Sequence, residues 1–205
     1  MVSISRRSLG LLALVTALVF PIVRLKAAPA DPKTLVEGLV QQALALIRNQ
    51  KLDDDARDRQ FKALLDQNFD IPRISRFVLG RYWTAANADD LKNFNNLFEQ
   101  WVVRLYASRF KDFKGETVAV TAARPESDTS YVVQSQLIHP DGSPPAQLNW
   151  HVNKVDNGLK IVDVEVEGVS MALTEREEFA SIIQRNGGSV ASLNQAMQQK
   201  LASSN

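Results

Sequence analysis

Gln147-Leu148-Asn149-Trp150-His151-Val152-Asn153-Lys154-Val155, then Asp156-Asn157-Gly158, then Leu159-Lys160-Ile161-Val162-Asp163-Val164-Glu165-Val166: apolar and polar residues alternate on both sides of a turn. A period of two is that of a half-buried strand. Asp-Asn-Gly between two such runs predicts a hairpin with a three-residue loop, Gly158 left-handed and Val155 opposite Leu159. Leu148, Trp150 and Val152 then face Val166, Val164 and Val162, while Asn149, His151 and Asn153 meet Glu165, Asp163 and Ile161. A slip of one residue sets Trp150 against Glu165 and mixes both faces, so the pattern selects this register. One face is apolar and needs a cover.

The same period extends upstream. Strands are expected near 116–124, 129–138, 147–155 and 159–169, with connections too short for parallel crossovers, so the sheet is an antiparallel meander. Before Glu116 the period is 3.6. Asp31-Pro32 opens a helix carrying Leu35, Leu39 and Leu46 to about Asn49, and the acidic turn Asp53-Asp54-Asp55 opens a second with Phe61, Leu64, Leu65 and Phe69. Asp70-Ile71-Pro72 starts a short third. Asn87 with Asp90 caps the longest, which runs through Leu91, Phe94, Phe98, Trp101, Leu105 and Tyr106 towards Phe110. After the sheet, Thr174 with Glu177 reads as a capping box for a helix closed by Gly187, and a last helix from Ser189 carries Val190, Leu193, Met197 and Leu201. The class is α+β: helices on one face of a curved four-stranded antiparallel meander, cone-like and NTF2-like, with C-terminal helices.

Residues 1–30 are of another composition and read as an export signal. Arg6 and Arg7 precede an apolar run of 15 residues, Leu9–Val23, and Ala28-Pro29-Ala30 offers small residues for cleavage before Asp31. The run is short of the roughly 20 residues a bilayer requires and contains Pro21, so a cleaved signal is expected rather than an anchor. Ser5-Arg6-Arg7-Ser8-Leu9 partly matches a twin-arginine signal, which leaves the general and twin-arginine routes both open. Residues 31–205 then form one domain with 20 Lys+Arg, 23 Asp+Glu and a net charge of −3. No basic surplus is left for nucleic acid. With no cysteine there is neither a disulfide frame nor a thiolate nucleophile or metal ligand.

Polar chemistry is thin. His151 opposite Asp163 has the form of an acid–base dyad, but the register puts the pair on the polar face, where a solvated cross-strand pair is the simpler account. His139 sits beside a Pro-Asp-Gly turn. Ser75 and Ser170 lack an activating partner that sequence identifies. No glycine-rich phosphate loop and no metal-ligand spacing occurs, so no cofactor is expected. What remains is apolar surface, and a cone of this kind leaves a cavity suited to a small apolar ligand. Arg73, Arg76 and Arg81, close together around the third helix, read either as a solvated, salt-bridged helix face or as candidates for an anionic headgroup at its mouth.

Three segments carry a family resemblance: Asp70-Ile71-Pro72-Arg73-Ile74-Ser75-Arg76-Phe77-Val78-Leu79-Gly80-Arg81-Tyr82-Trp83, Asp163-Val164-Glu165-Val166-Glu167-Gly168-Val169-Ser170-Met171, and Glu178-Phe179-Ala180-Ser181-Ile182-Ile183-Gln184-Arg185-Asn186-Gly187-Gly188. The chain resembles the MlaC, or toluene-tolerance, family over all of residues 31–205. The resemblance implies a soluble periplasmic carrier and not an enzyme. Such a carrier passes phospholipid between an outer-membrane lipoprotein complex and an inner-membrane ABC transporter with an MCE-domain ring, and so maintains outer-membrane asymmetry. Acyl chains lie inside and the headgroup outside. The expected lining is Phe77, Tyr82, Phe98, Trp101, Tyr106, Val118, Val120, Trp150, Val152, Val164, Val166 and Val169. Leu159 and Val162 stand where many members have aromatic residues, which alters the expected pocket shape. A related branch, HpnM, accompanies hopanoid synthesis and exchanges the cargo for a terpenoid lipid. Two rival classes make opposite demands: a cone-fold isomerase or dehydratase needs the His151–Asp163 pair inside the cone, and a pure interaction module needs a filled core.

Overall fold

In the computed structural model, which describes residues 31–107 and 112–203, seven helices and one sheet follow in the expected order: α1 (Pro32–Arg48), α2 (Asp54–Asn68), α3 (Ile71–Leu79), α4 (Tyr82–Ala85), α5 (Ala88–Ala107), β1 (Thr117–Pro125), β2 (Ser130–Ile138), β3 (Ala146–Val155), β4 (Gly158–Val166), β5 (Val169–Ser170), α6 (Met171–Arg185) and α7 (Val190–Ser203). The export signal and the expected end of the long helix at Phe110 lie outside the described residues. The sheet is an antiparallel meander in the order β1-β2-β3-β4-β5. It has five strands where four were expected, because the chain turns at Glu167-Gly168, both at positive φ (52° and 78°), and Val169–Ser170 pairs back on β4.

Most helix starts follow the local signals. Asp31, Asp53 and Asp70 each accept a backbone N–H from three residues on, and Asn87 accepts from Asp90. At α6 the expected box fails. The helix opens a turn early at Met171, with Ser170 Oγ accepting the Leu173 N–H at 3.0 Å, and Thr174 lies inside it, its hydroxyl on the Ser170 carbonyl. The cause lies outside the helix, in the preceding strand: the Asp163 carboxylate, on β4, accepts the Ser170 hydroxyl at 2.5 Å and the Ala172 N–H at 3.0 Å. A carboxylate at a helix N-terminus is stabilised by the unpaired N–H groups there, and it outweighs the local box.

The β3–β4 register holds for four pairs, Leu148–Val166, Asn149–Glu165, Trp150–Val164 and His151–Asp163, and then departs. Val155 pairs with Gly158, so the turn has two residues rather than three, and Val162 is extruded as a bulge. Ile161, expected on the polar face, therefore meets Val152 on the apolar one, and both are fully buried. Contacts with α2 account for this placement. Ile161 bridges Phe69 and its carbonyl accepts the Asp70 N–H at 2.9 Å, while Lys160 Nζ donates to the Asp66 and Gln67 carbonyls at the C-terminal end of α2. A cation on the last carbonyls of a helix is favourable both as a cap and against the dipole.

Helices α1, α2, α3 and α6 all pack on the sheet, and the buried apolar residues divide into two groups. Val36, Leu39, Val40 and Leu64 join Val133, Val152, Leu159 and Ile161 between α1, α2 and the sheet. Phe94, Phe98, Phe179, Ile183, Leu193 and Met197 knit α5, α6 and α7, with Phe179 edge-on to Phe94, Phe98 and Trp101. One polar link crosses between α5 and α6: Trp101 Nε1 donates to Glu175 Oε1 at 2.7 Å. Burial, with a smaller contribution from the Glu178 charge, pushes the Glu175 carboxyl up to about 7.

Two outcomes follow. Asp163→Ala strands the donors at the α6 start and should destabilise the fold by about 2–3 kcal/mol in urea titrations, against about 1 kcal/mol for loss of the Ser170 cap in Ser170→Ala. Glu175 binds its proton more tightly folded than unfolded, so its stabilising share is fully present below about pH 4.5 and is lost as pH rises to about 7. Glu175→Gln keeps an acceptor for Trp101. Urea midpoints across that window should fall in the parent, by up to about 3 kcal/mol in stability, and stay flatter in the variant.

Candidate functional site

The two cores do not merge. Between them lies a cavity of about 550 Å³, walled by Leu39, Val40, Ala43, Leu44 and Ile47 of α1, Phe61, Leu64 and Leu65 of α2 with Phe69 beyond it, Ile71, Ile74 and Val78 of α3, and Phe98, Val102, Leu105 and Tyr106 of α5. Its floor is the apolar face of the sheet: Val118, Leu137, Leu148, Trp150, Val162, Val164 and Val166. Met171, Ala172 and Glu175 of α6 and Asp112, Phe113 and Glu116 before β1 complete it. Trp150 is the one large polar-tipped side chain of the floor, and its Nε1 donates to the buried Ser135 hydroxyl at 2.9 Å, which fixes the ring and leaves no donor aimed into the space. Among the described residues that line the cavity, the charged ones are the acids Asp112, Glu116, Asp163 and Glu175.

Of the lining expected from sequence, Phe98, Tyr106, Val118, Trp150, Val164 and Val166 reach the cavity. Val120 and Val152 lie in the adjoining sheet core, and Tyr82 and Trp101 pack into the helical core. Phe77 and Val169 are corrections of another kind, 43% and 53% exposed. Phe77 is on the outer side of α3, beneath Arg176, and Val169 sits on the short edge strand after the Glu167-Gly168 turn. Sequence weighting of aromatic residues passed over the aliphatic stripes of α1 and α2, whose i, i+4 spacing was the available signal.

The arginines are also elsewhere. Ile71, Ile74 and Val78 give the inner face of α3 to the cavity, so Arg73, Arg76 and Arg81 fall outside it and none lines it. Arg76 stacks over the Trp83 ring at 5.9 Å, and Arg81 lies 5.0 Å from the Tyr82 ring centre and donates to its hydroxyl at 3.0 Å.

His151 and Asp163 are register partners whose side chains share no hydrogen bond. The Asp163 carboxylate is taken up by Ser170, Ala172 and its neighbour's Val164 N–H. His151 Nε2 lies 3.1 Å from Glu165 Oε1, and Nδ1 lies 3.9 Å from Glu126 Oε2. The Asn149 side-chain amide, and secondarily His151, hold Glu165 below the usual carboxylate range. A base oriented by Asp163 is not assembled.

Among the described residues no helix is long and apolar enough to cross a membrane. Residues 37–199 match the model of the family described as MlaC protein. The chain is 24% identical over 192 residues to the toluene tolerance protein ttg2D of Pseudomonas putida, covering 91% of this chain and 86% of that one. Its fold is similar, with a TM-score of 0.72 and 26% identity, to that of a phospholipid-binding protein from Ralstonia solanacearum solved in complex with a phospholipid; 85% of this chain and 99% of that chain are covered. The matched stretch covers most of the chain and every residue that lines the cavity, and on that ground the chain belongs to the MlaC family.

Proposed function

We propose that the protein binds phospholipid, with its acyl chains in the cavity, and carries it through the periplasm as a cargo protein rather than a catalyst. The observation that carries this reading is the cavity itself: an apolar space of about 550 Å³, unfilled by side chains, between two cores that are each well packed. The phospholipid complex of the Ralstonia solanacearum relative supports it, as does the use of Asp163 for holding α6 rather than for orienting His151. Export of residues 31–205 after removal of residues 1–30 belongs to the same reading. So does exchange of cargo with an outer-membrane lipoprotein complex and an inner-membrane ABC transporter bearing an MCE-domain ring, which would sustain outer-membrane asymmetry.

Energetics define what such a carrier must solve. Two acyl chains hold about 30 methylenes, each worth roughly 0.8 kcal/mol on leaving water, which exceeds the practical ceiling of about 20 kcal/mol on affinity. Capture from water is easy, and release needs an acceptor that is itself apolar. The dry wall discriminates poorly between chain lengths, because one methylene more or less changes binding weakly.

Organic extraction of the purified protein followed by mass spectrometry should recover phospholipid near one equivalent. A terpenoid in its place would mean a different cargo, and lipid-free protein would sink the carrier reading. Val164→Glu sets an unpaired carboxylate against the cargo at a cost of several kcal/mol and should lower recovered lipid at least tenfold. An unchanged far-UV spectrum in that variant separates lost loading from lost folding.

A further inference from the structure

The outer side of α3 continues into an arginine face whose charges nothing in the described structure neutralises. Arg73, Arg76 and Arg81 are joined by Arg176 of α6, which lies 5.2 Å from the Phe77 ring centre. None of the four makes an ion pair among the described residues. Asp70, three residues before Arg73, spends its carboxylate on the Arg73 N–H at the helix cap; of the two acids that flank Arg176, Glu175 accepts from Trp101 at the cavity and Glu177 makes no ion pair among the described residues. Yet acids are not scarce: the described residues hold 23 against 18 Lys+Arg, with Arg109 and Lys111 lying outside them. Four unpaired guanidiniums on one side of a net acidic body are a local excess.

Three of the four guanidiniums are also held in place. Trp83, Tyr82 and Phe77 each support one by its ring. At Gly80 (φ 52°, ψ −125°) a Cβ would stand 2.8 Å from Arg176 Nε, so the glycine is what lets that side chain lie against α3. Beside them are two of the large apolar side chains that the described surface exposes, Phe77 at 43% and Leu173 at 47%. Leu173 is three residues before Arg176 on α6 and shares its face.

We propose that this arginine face docks the protein on an anionic bilayer surface, with the guanidiniums on lipid phosphates and Phe77 and Leu173 at headgroup level. Ring-supported arginines with a few exposed apolar side chains match the composition of an interfacial binding surface. An acidic protein face would satisfy the charge too, but a specific protein interface needs an apolar centre larger than two side chains. Position fits as well: the inner residues Ile71, Ile74 and Val78 line the cavity, so bilayer and cargo would lie on opposite sides of one nine-residue helix. The docking stands on the arginine geometry alone, and only its use in cargo exchange rests on the carrier reading.

The test is co-sedimentation of purified residues 31–205, in the lipid state in which they are isolated, with two vesicle types: phosphatidylcholine alone, and phosphatidylcholine with 40% phosphatidylglycerol. At 50 mM NaCl the partition coefficient should be at least tenfold higher on the anionic vesicles, and it should fall at least tenfold by 300 mM NaCl. Each arginine near such a surface contributes about fivefold, so R73Q/R76Q/R81Q/R176Q should abolish the difference between vesicles. Gly80→Ala, which displaces Arg176, and Leu173→Ser should each weaken binding severalfold. Removing four surface lysines elsewhere, K33Q/K51Q/K92Q/K114Q, should change it less than the arginine variant. Equal binding to both vesicles, or equal loss in the lysine and arginine variants, overturns the proposal. Lipid extraction of the same samples reads the carrier function separately, so loaded protein that fails to sediment with vesicles refutes the docking alone.

Discussion

The hold of Asp163 on the start of α6 is the contact on which the rest of the architecture depends. It is one carboxylate on β4, and it accepts the hydroxyl of Ser170 and the N–H of Ala172, joining the last long strand to the first turn of a helix. From that turn onward α6 supplies Met171, Ala172 and Glu175 to the cavity wall and Phe179 to the helical core. The arrangement explains why a polar group near an apolar cavity is compatible with folding. Its acceptor positions are filled by donors that would otherwise be stranded at a helix N-terminus, so the hydrogen bonds formed offset the desolvation of both sides.

With α6 fixed there, and with α2 fixed to β4 by Lys160 and by the Phe69–Ile161 bridge, the helices cannot close over the sheet completely. Each side then packs what it can reach. The aliphatic residues of α1 and α2 settle on the sheet, and the aromatic residues of α5 and α6 settle on α7. The cavity is what the two cores leave between them. Its wall is made of side chains that already belong to a core on their far side, such as Phe98, Val78, Leu39 and Leu64.

How much of this was legible in sequence depended on the range of the interaction. Asp31, Asp53, Asp70 and the Asn87–Asp90 pair act on N–H groups three residues away, and the helices they open could be read directly. The apolar face of the hairpin could be read because alternation tolerates only one register, and Trp150, Val164 and Val166 were placed correctly by it. The bulge at Val162 and the early start of α6 could not be read, because each is set by a partner in another element: α2 through Ile161 and Lys160, and Asp163 through Ala172. Within the site neither signal was sufficient. Of the residues located by strand alternation, Val118, Trp150, Val164 and Val166 line the cavity while Val120 and Val152 fall in the adjoining core and Val169 is exposed; of those assigned by being aromatic, Phe98 and Tyr106 line it while Phe77, Tyr82 and Trp101 do not, since aromatic character says nothing about the side of the helix. The three arginines were misplaced for the same reason, since the inner face of α3 belongs to Ile71, Ile74 and Val78.

A cavity of about 550 Å³ gives the protein a mechanical character that the proposed cargo would change. Hydrostatic compression favours whichever state occupies less volume, and unfolding eliminates internal voids, so an emptied molecule loses stability under pressure in proportion to the space it encloses. Occupied by hydrocarbon, the same space no longer shrinks when the chain unravels. Loaded and unloaded forms would therefore differ in compressibility even where their backbones coincide, with the proposed cargo as an internal strut.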